Sequence, residues 1–191
     1  MIQKHIGQRV AVFIDVQNLY HSARNLFQAR ANFKEILKLA ISNRNPIRAF
    51  AYVVRTKTGE EKPFFDALTK LGIETRERDL QEFYGGMKKA DWDVGIVIDA
   101  IRISSSVDVI VLASGDGDFI ALVDYLKNQG KRVEVIAFAK SASRGLKETA
   151  DEFIDLGGED SEKYLLNKKD SIFNLKNLEK IIPKPKWKNS N

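Results

Sequence analysis

The chain has 191 residues, 43% hydrophobic and 30% charged, with a net charge of +5; this is enough apolar material for one packed domain and excludes disorder throughout. It has no cysteine and two histidines, His5 and His21, which excludes a disulfide scaffold and zinc sites built on thiolates or histidine clusters, and leaves only a hard ion held by carboxylates. The opening MIQKHIGQRV is not a secretory leader, because the apolar run VAVFI after it is short and ends at Asp15. No apolar run approaches the roughly 20 residues of a membrane helix, so a soluble, cytoplasmic protein with no membrane partner is expected.

In chain order, 9–14 (RVAVFI) is a continuous β-branched run and reads as a buried parallel strand. A helical pattern covers 17–28, and another covers 33–41 with Ile36, Leu37 and Ala40 on one face. Residues 48–54 read as a strand and 58–61 as a loop. A helix begins at Pro63 and closes at Gly72, with Phe64, Phe65, Leu68 and Leu71 on its stripe. A short strand follows at 73–78. The helix over 91–103 places Val94, Val97, Ile98 and Ile101 at i, i+3, i+4 and i+7. Residues 107–113 form a strand and 118–128 a helix ending at Gly130. A strand over 132–138, a short helix over 143–150 and a last strand over 153–156 complete the pattern. Strands alternating with helices predict an α/β domain with a mostly parallel sheet. After Gly157 and Gly158 the pattern weakens. Residues 159–191 carry eight lysines against five acids, so most of the net charge sits in this segment, and the final residues read as a loose tail. A basic excess permits nucleic-acid binding, and equally fits a surface kept soluble by lysine.

In parallel sheets, ligands bind outside the carboxyl ends of the strands. Two such ends here carry clustered polar residues. Asp15 ends the first strand, with Asn18 three positions later. Ser114-Gly115-Asp116-Gly117-Asp118-Phe119 follows the strand over 107–113. Each acid also fits a local role as a helix cap. On a helical wheel, the stripe of the 91–103 helix centres near Ile101. Asp93 then lies about 90° away at the border of the buried face, and Asp99 about 150° away on the far side. Asp99 therefore reads as structural, and Asp91 as an acid favourable to the helix start. Asp15, Asp93, Asp116 and Asp118 make a carboxylate cluster whose repulsion needs cations to neutralise it. That points to magnesium or manganese, which activates water and stabilises charge on a phosphoryl group.

The segments FIDVQN, KKADWDVGIVIDAI and LASGDGDF, in this order and spacing, resemble the NYN domain, a PIN-like ribonuclease domain, and most closely its LabA-like (DUF88) group. The resemblance spans about 8–157 and leaves 158–191 as a basic extension, partly helical or loose. It implies a three-layer α/β/α PIN-like fold with a mostly parallel central sheet, and metal-dependent cleavage of RNA. The first-strand Asp of the family falls on Asp15, its nearby Asn on Asn18 and its helix Asp on Asp93. The Ser-Gly-Asp-x-Asp-Phe motif falls on Ser114, Asp116 and Asp118, and a Lys before the helix Asp is approximately matched by Lys89. The alternative on the same fold is a non-catalytic RNA- or nucleotide-binding regulatory module, and a homodimer is compatible with either.

Loop cations at strand carboxyl ends offer a phosphate-binding surface: Arg55 and Lys57, Lys88 and Lys89, Lys140 and Arg144. The same residues fit ordinary solvated loops. Phe83 and Tyr84 fit either base stacking or packing. The sequence speaks against other α/β chemistries. Asp15-Val16-Gln17-Asn18 supplies no glycine for a dinucleotide turn, no Gly-Lys-Ser/Thr occurs for a P-loop, and Gln17 stands where a haloacid-dehalogenase-like phosphatase needs its second acid.

Overall fold

A computed structural model describes residues 4–55, 59–82, 88–89 and 92–166. The elements in order are β1 (Arg9–Asp15), α1 (Val16–Phe27), β2 (Arg30–Ala31), α2 (Phe33–Ile41), β3 (Asn45–Arg55), α3 (Lys62–Lys70), β4 (Glu74–Asp79), β5 (Gln81–Glu82) and β6 (Lys88–Lys89). They continue with α4 (Asp93–Ser104), β7 (Val109–Ala113), a 3₁₀ turn (Gly117–Phe119), α5 (Ile120–Asn128), β8 (Arg132–Ala137), α6 (Arg144–Thr149), β9 (Glu152–Asp155), α7 (Ser161–Tyr164) and β10 (Leu165–Leu166).

Six strands form one sheet in the order β4-β3-β1-β7-β8-β9, and every neighbouring pair in it is parallel. β1 and β7 lie at its centre, and their runs 10–14 and 109–113 are apolar because both faces are covered. One face packs against α1, α2 and α3 through Leu19, Ile36, Leu37, Phe65 and Leu68. The other packs against α4, α5 and α6 through Ile96, Ala100, Leu122, Leu126 and Leu146. The result is the α/β/α layering anticipated for the chain.

The chain leaves β1 toward β3 and β4 on one side, and returns to place β7, β8 and β9 on the other. The strand order therefore reverses between β1 and β7, and a crevice opens at their carboxyl ends. Asp15 and Ser114 stand at those two ends. At the opposite end of the sheet, Arg44 makes a bidentate, buried pair with Glu134, at 2.8 and 2.9 Å. Burial pushes the Glu134 carboxyl up, but hydrogen bonds from Arg44 and Arg132 and the nearby charge of Lys4 together hold it below the usual range.

The wheel of α4 needs correction. Ile96 and Ala100 are its buried residues, whereas Val94, Ile98 and Ile101 are 66%, 41% and 38% exposed. The helix is apolar nearly all round, so periodicity alone does not fix its rotation. Contacts with the sheet do. Trp92 Nε1 donates to Val53 O at 2.8 Å, and Asp99 Oδ2 accepts from Tyr52 Oη at 3.1 Å and from Arg76 Nε at 3.2 Å. Asp99 is structural, as expected, but it faces the sheet edge instead of solvent.

Two small pairings carry no sequence signature. β10 runs antiparallel to β2, and β5 to β6. Residues 161–166, assigned by sequence to the extension, thereby lie against the body of the domain.

Candidate active site

Asp15 is both the last residue of β1 and the N-cap of α1. Its Oδ1 accepts from Asn18 N at 3.0 Å, and its Oδ2 accepts from Ser114 Oγ at 3.0 Å. The capping role and the site role thus coincide in one side chain. Asp116 likewise caps the 3₁₀ turn, its Oδ1 accepting from Asp118 N at 3.0 Å. Its own backbone N donates to Ser114 Oγ at 3.2 Å. Asn18 closes the frame, with Oδ1 accepting from Gly115 N at 2.9 Å.

The loop over 114–118 is pressed against the loop that follows β8. Ser143 N donates to Gly115 O at 2.9 Å. A Cβ on Gly115 would stand 2.9 Å from Ala142 Cα, and one on Gly117 the same distance from Ser143 Oγ. The first clash is with backbone, so glycine at 115 is needed for the two loops to touch. The glycines of GDGD therefore serve loop packing first.

Asp15 is only 9% exposed. Burial raises its carboxyl to about 6, against the lowering effect of the hydrogen bonds from Asn18 and Ser114, with the charges of Asp93 and Asp116 adding to the rise. The charges of Asp93 and Asp116 are thus both felt at Asp15. Asp118 is exposed at the rim of the crevice. Among the described residues no group of three or more acids is set as a ready metal cage. Magnesium does not require one, since it usually keeps several waters and takes one or two carboxylates together with substrate phosphates. The donor set, all hard oxygen, suits that ion or manganese.

Ser114 is fully buried, and its hydroxyl is engaged by Asp15 and Asp116, so it positions the acids from behind. Asn18 Oδ1 is engaged by the same frame. Of the sequence-selected cations, Arg55 pairs with Asp79 at 2.8 Å and Glu77 at 3.6 Å, and Arg144 pairs with Glu148 at 2.7 Å. Lys140 is exposed in the loop after β8. Lys88 and Lys89 stand on β6. Lys57, Phe83, Tyr84 and Asp91 lie outside the described residues. Sequence reading missed Trp92. This residue anchors the start of α4 to β3 and stacks edge-on to Tyr52, ring centroids 5.4 Å apart; a tryptophan directly before the helix Asp was the available signal.

No helix among the described residues is long and apolar enough to cross a membrane. The NYN domain pattern matches residues 9–159. The chain is 29% identical over 163 residues to the low amplitude and bright protein LabA of Synechococcus elongatus, covering 78% of this chain and 83% of that protein. The crystal structure of VPA0982 from Vibrio parahaemolyticus, a protein of unknown function, superposes with a TM-score of 0.77 at 30% identity, covering 86% of this chain and all of that one. The matched span holds the whole six-stranded sheet and both acid-bearing loops, and on it the chain belongs to the PIN-like NYN domain family.

Proposed function

We propose that this protein is a divalent-metal-dependent ribonuclease that cleaves phosphodiester bonds of single-stranded RNA in the cytoplasm. The observation that supports it is the buried carboxyl of Asp15 at the switch point, raised to about 6 chiefly by burial, with the charges of Asp93 and Asp116 adding to the rise. A buried carboxylate that also feels two other acids fits a cation that neutralises it. In this reading Asp15, Asp93 and Asp116 hold magnesium or manganese, and Asp118 contributes directly or through water. The bound ion supplies an activated water and neutralises charge on the phosphoryl oxygens. Asn18 and Ser114 keep the carboxylates aimed at the crevice. Lys88, Lys89 and Lys140 hold flanking phosphates, with lesser contributions from Arg55 and Arg144, which share their charge with neighbouring acids, and from Lys57.

The experiment is cleavage of labelled single-stranded RNA with magnesium, with manganese and with chelator, beside an Asp15→Asn control. Cleavage that needs metal and Asp15 supports the reading. The basic segment 159–191, with eight lysines against five acids, equally supports a second reading, a non-catalytic RNA- or nucleotide-binding module. RNA binding that survives chelator, without cleavage in either metal, selects that one.

A further inference from the structure

The face of β3 and β4 beside α4 carries a row of arginines that the sequence pattern does not reveal. Residues 48, 50 and 52 of β3 share this face with 74, 76 and 78 of β4, in a register that sets Phe50 opposite Glu74, Tyr52 opposite Arg76 and Val54 opposite Arg78. Two guanidiniums lie over the ring of buried Phe50, Arg48 at 4.5 Å and Arg76 at 4.9 Å. A third, Arg78, lies 4.6 Å over Trp92, the residue next to Asp93. Arg102 of α4 reaches the same patch, 3.8 Å from Asp99. Arg48, Arg76 and Arg102 keep 43%, 38% and 76% of their side chains exposed, and Arg78 is exposed as well. Glu74 pairs with Arg48, and Asp99 with Arg76 and Arg102.

The row has direction. Arg48 stands toward the amino end of β3, while Arg78 and Trp92 stand toward the carboxyl end, where Asp93 begins α4. Arg76 and Arg78 are two residues apart on one strand face, about 7 Å along it, comparable with the separation of successive phosphates in an unstacked single strand. Guanidiniums held over aromatic rings are already ordered before a ligand arrives, which lowers the cost of binding one. Ordered charge in a row aligned with the crevice suits an extended polyanion.

We infer that the Arg48–Arg76–Arg78–Trp92 strip, with Arg102, is a track that holds the backbone of single-stranded RNA on its way to the switch-point carboxylates. The choice of RNA as the polyanion rests on the ribonuclease reading above. The test is equilibrium binding of fluorescein-labelled oligouridylate, in chelator, as a function of salt. An Arg48→Gln/Arg102→Gln variant should bind more weakly, with the logarithmic salt slope shallower by about 1.4, since each single-strand phosphate contact contributes about 0.7. A Glu74→Gln variant should change in the opposite sense, binding more tightly with a steeper slope, and damage to the fold would not produce that result. Unchanged slopes in both variants, while the wild type binds oligouridylate, overturn the track and leave the ribonuclease reading standing. Displacement of the label by polyglutamate as readily as by unlabelled oligouridylate also overturns it, because the strip would then be a site for acidic chains in general. Failure of the wild type to bind oligouridylate removes the parent reading and the track with it.

Discussion

Ser114 Oγ donates to Asp15 Oδ2 at 3.0 Å and accepts from Asp116 N at 3.2 Å. One buried hydroxyl therefore joins the ends of β1 and β7 across the switch point. Ser114→Ala leaves a buried carboxylate oxygen and a backbone N–H without this partner, and should cost about 1–3 kcal/mol. It should also lower metal-dependent cleavage, because Asp15 and Asp116 lose their common support. Urea unfolding and a cleavage assay on the same preparation check both effects. Stability and cleavage equal to wild type would show that the loops do not depend on this link.

The position of Asp15 has a pH signature. Its carboxyl is raised to about 6 in the folded protein, chiefly by burial, whereas in the unfolded chain it titrates near its usual 3.8. Between these values the folded state binds a proton that the unfolded state does not. Stability of the metal-free protein should therefore fall as pH rises from about 4 through 6, by about 3 kcal/mol from this group. Asp15→Asn should flatten that fall and raise the unfolding midpoint at neutral pH. Asp108 acts in a separate window: hydrogen bonding from Arg9 lowers it to about 2, so its contribution is present at neutral pH and is lost as pH drops below its usual value. Its 42% exposure limits that contribution. Denaturant titrations from about pH 2 to about pH 8, a range that spans both windows, separate the two. A midpoint for Asp15→Asn that keeps the wild-type slope between pH 4 and 6 would contradict the assignment.

The parallel sheet was legible because β1 and β7 are continuous apolar runs, each ending in polar residues that cannot extend a buried strand. The same break marked Asp15 and the 114–118 loop as the crevice. The rotation of α4 was not legible, because apolar residues stand on nearly all of its sides and the decisive contacts, Tyr52 and Arg76 to Asp99, come from residues 47 and 23 positions away. The frame of Ser114 and Asn18 was seen only as polar residues near a site, since a hydrogen bond over 99 residues leaves no local pattern. The arginine row stayed hidden for the same reason: its residues alternate along two strands whose register only the sheet supplies.

Asp93 and Asp99 lie on one helix with different surroundings. Asp93 bears on the charge of Asp15, whereas Asp99 accepts from Tyr52 and Arg76 away from the crevice. Asp93→Asn should abolish most metal-dependent cleavage while leaving thermal stability nearly unchanged. Asp99→Asn should lower stability by about 1–3 kcal/mol, because it weakens a partly buried, charge-assisted network, and should leave cleavage by the remaining folded protein largely intact. Measuring both properties for both variants decides the matter. Equal losses of cleavage at the two positions would mean that α4 presents both acids to the crevice.

At the far end of the sheet, Glu134 is fully buried and Arg44 nearly so. Arg44→Met removes the bidentate partner and leaves Glu134 to Arg132 and Lys4. Breaking one side of a buried pair typically costs about 3–5 kcal/mol. The double change Arg44→Met/Glu134→Leu should recover most of that loss, since two apolar side chains leave no stranded charge. The unfolding free energies of the two variants test this, and a double variant no more stable than the single one would rule out the uncompensated carboxylate as the cause.

The last prediction concerns which cations near the crevice hold RNA. Arg55 and Arg144 share their charge with Asp79 and Glu148 and stand outside the arginine row on β3 and β4, so replacing either alone should change affinity little. Lys88 and Lys89 form the short strand β6, which precedes Asp93 and α4 in the chain. Changing both to Ala should weaken binding of single-stranded RNA and flatten its logarithmic salt slope by about one or two units. Metal affinity should hold, because an ammonium group cannot be a ligand. The segment 159–191, with eight lysines against five acids, is a competing source of the same salt dependence. Truncation after Leu166 removes most of that charge while keeping β10 against β2. If the slope disappears on truncation and is unchanged in the lysine double variant, the electrostatic hold on RNA belongs to the carboxyl-terminal segment, and the crevice lysines are ordinary surface charges.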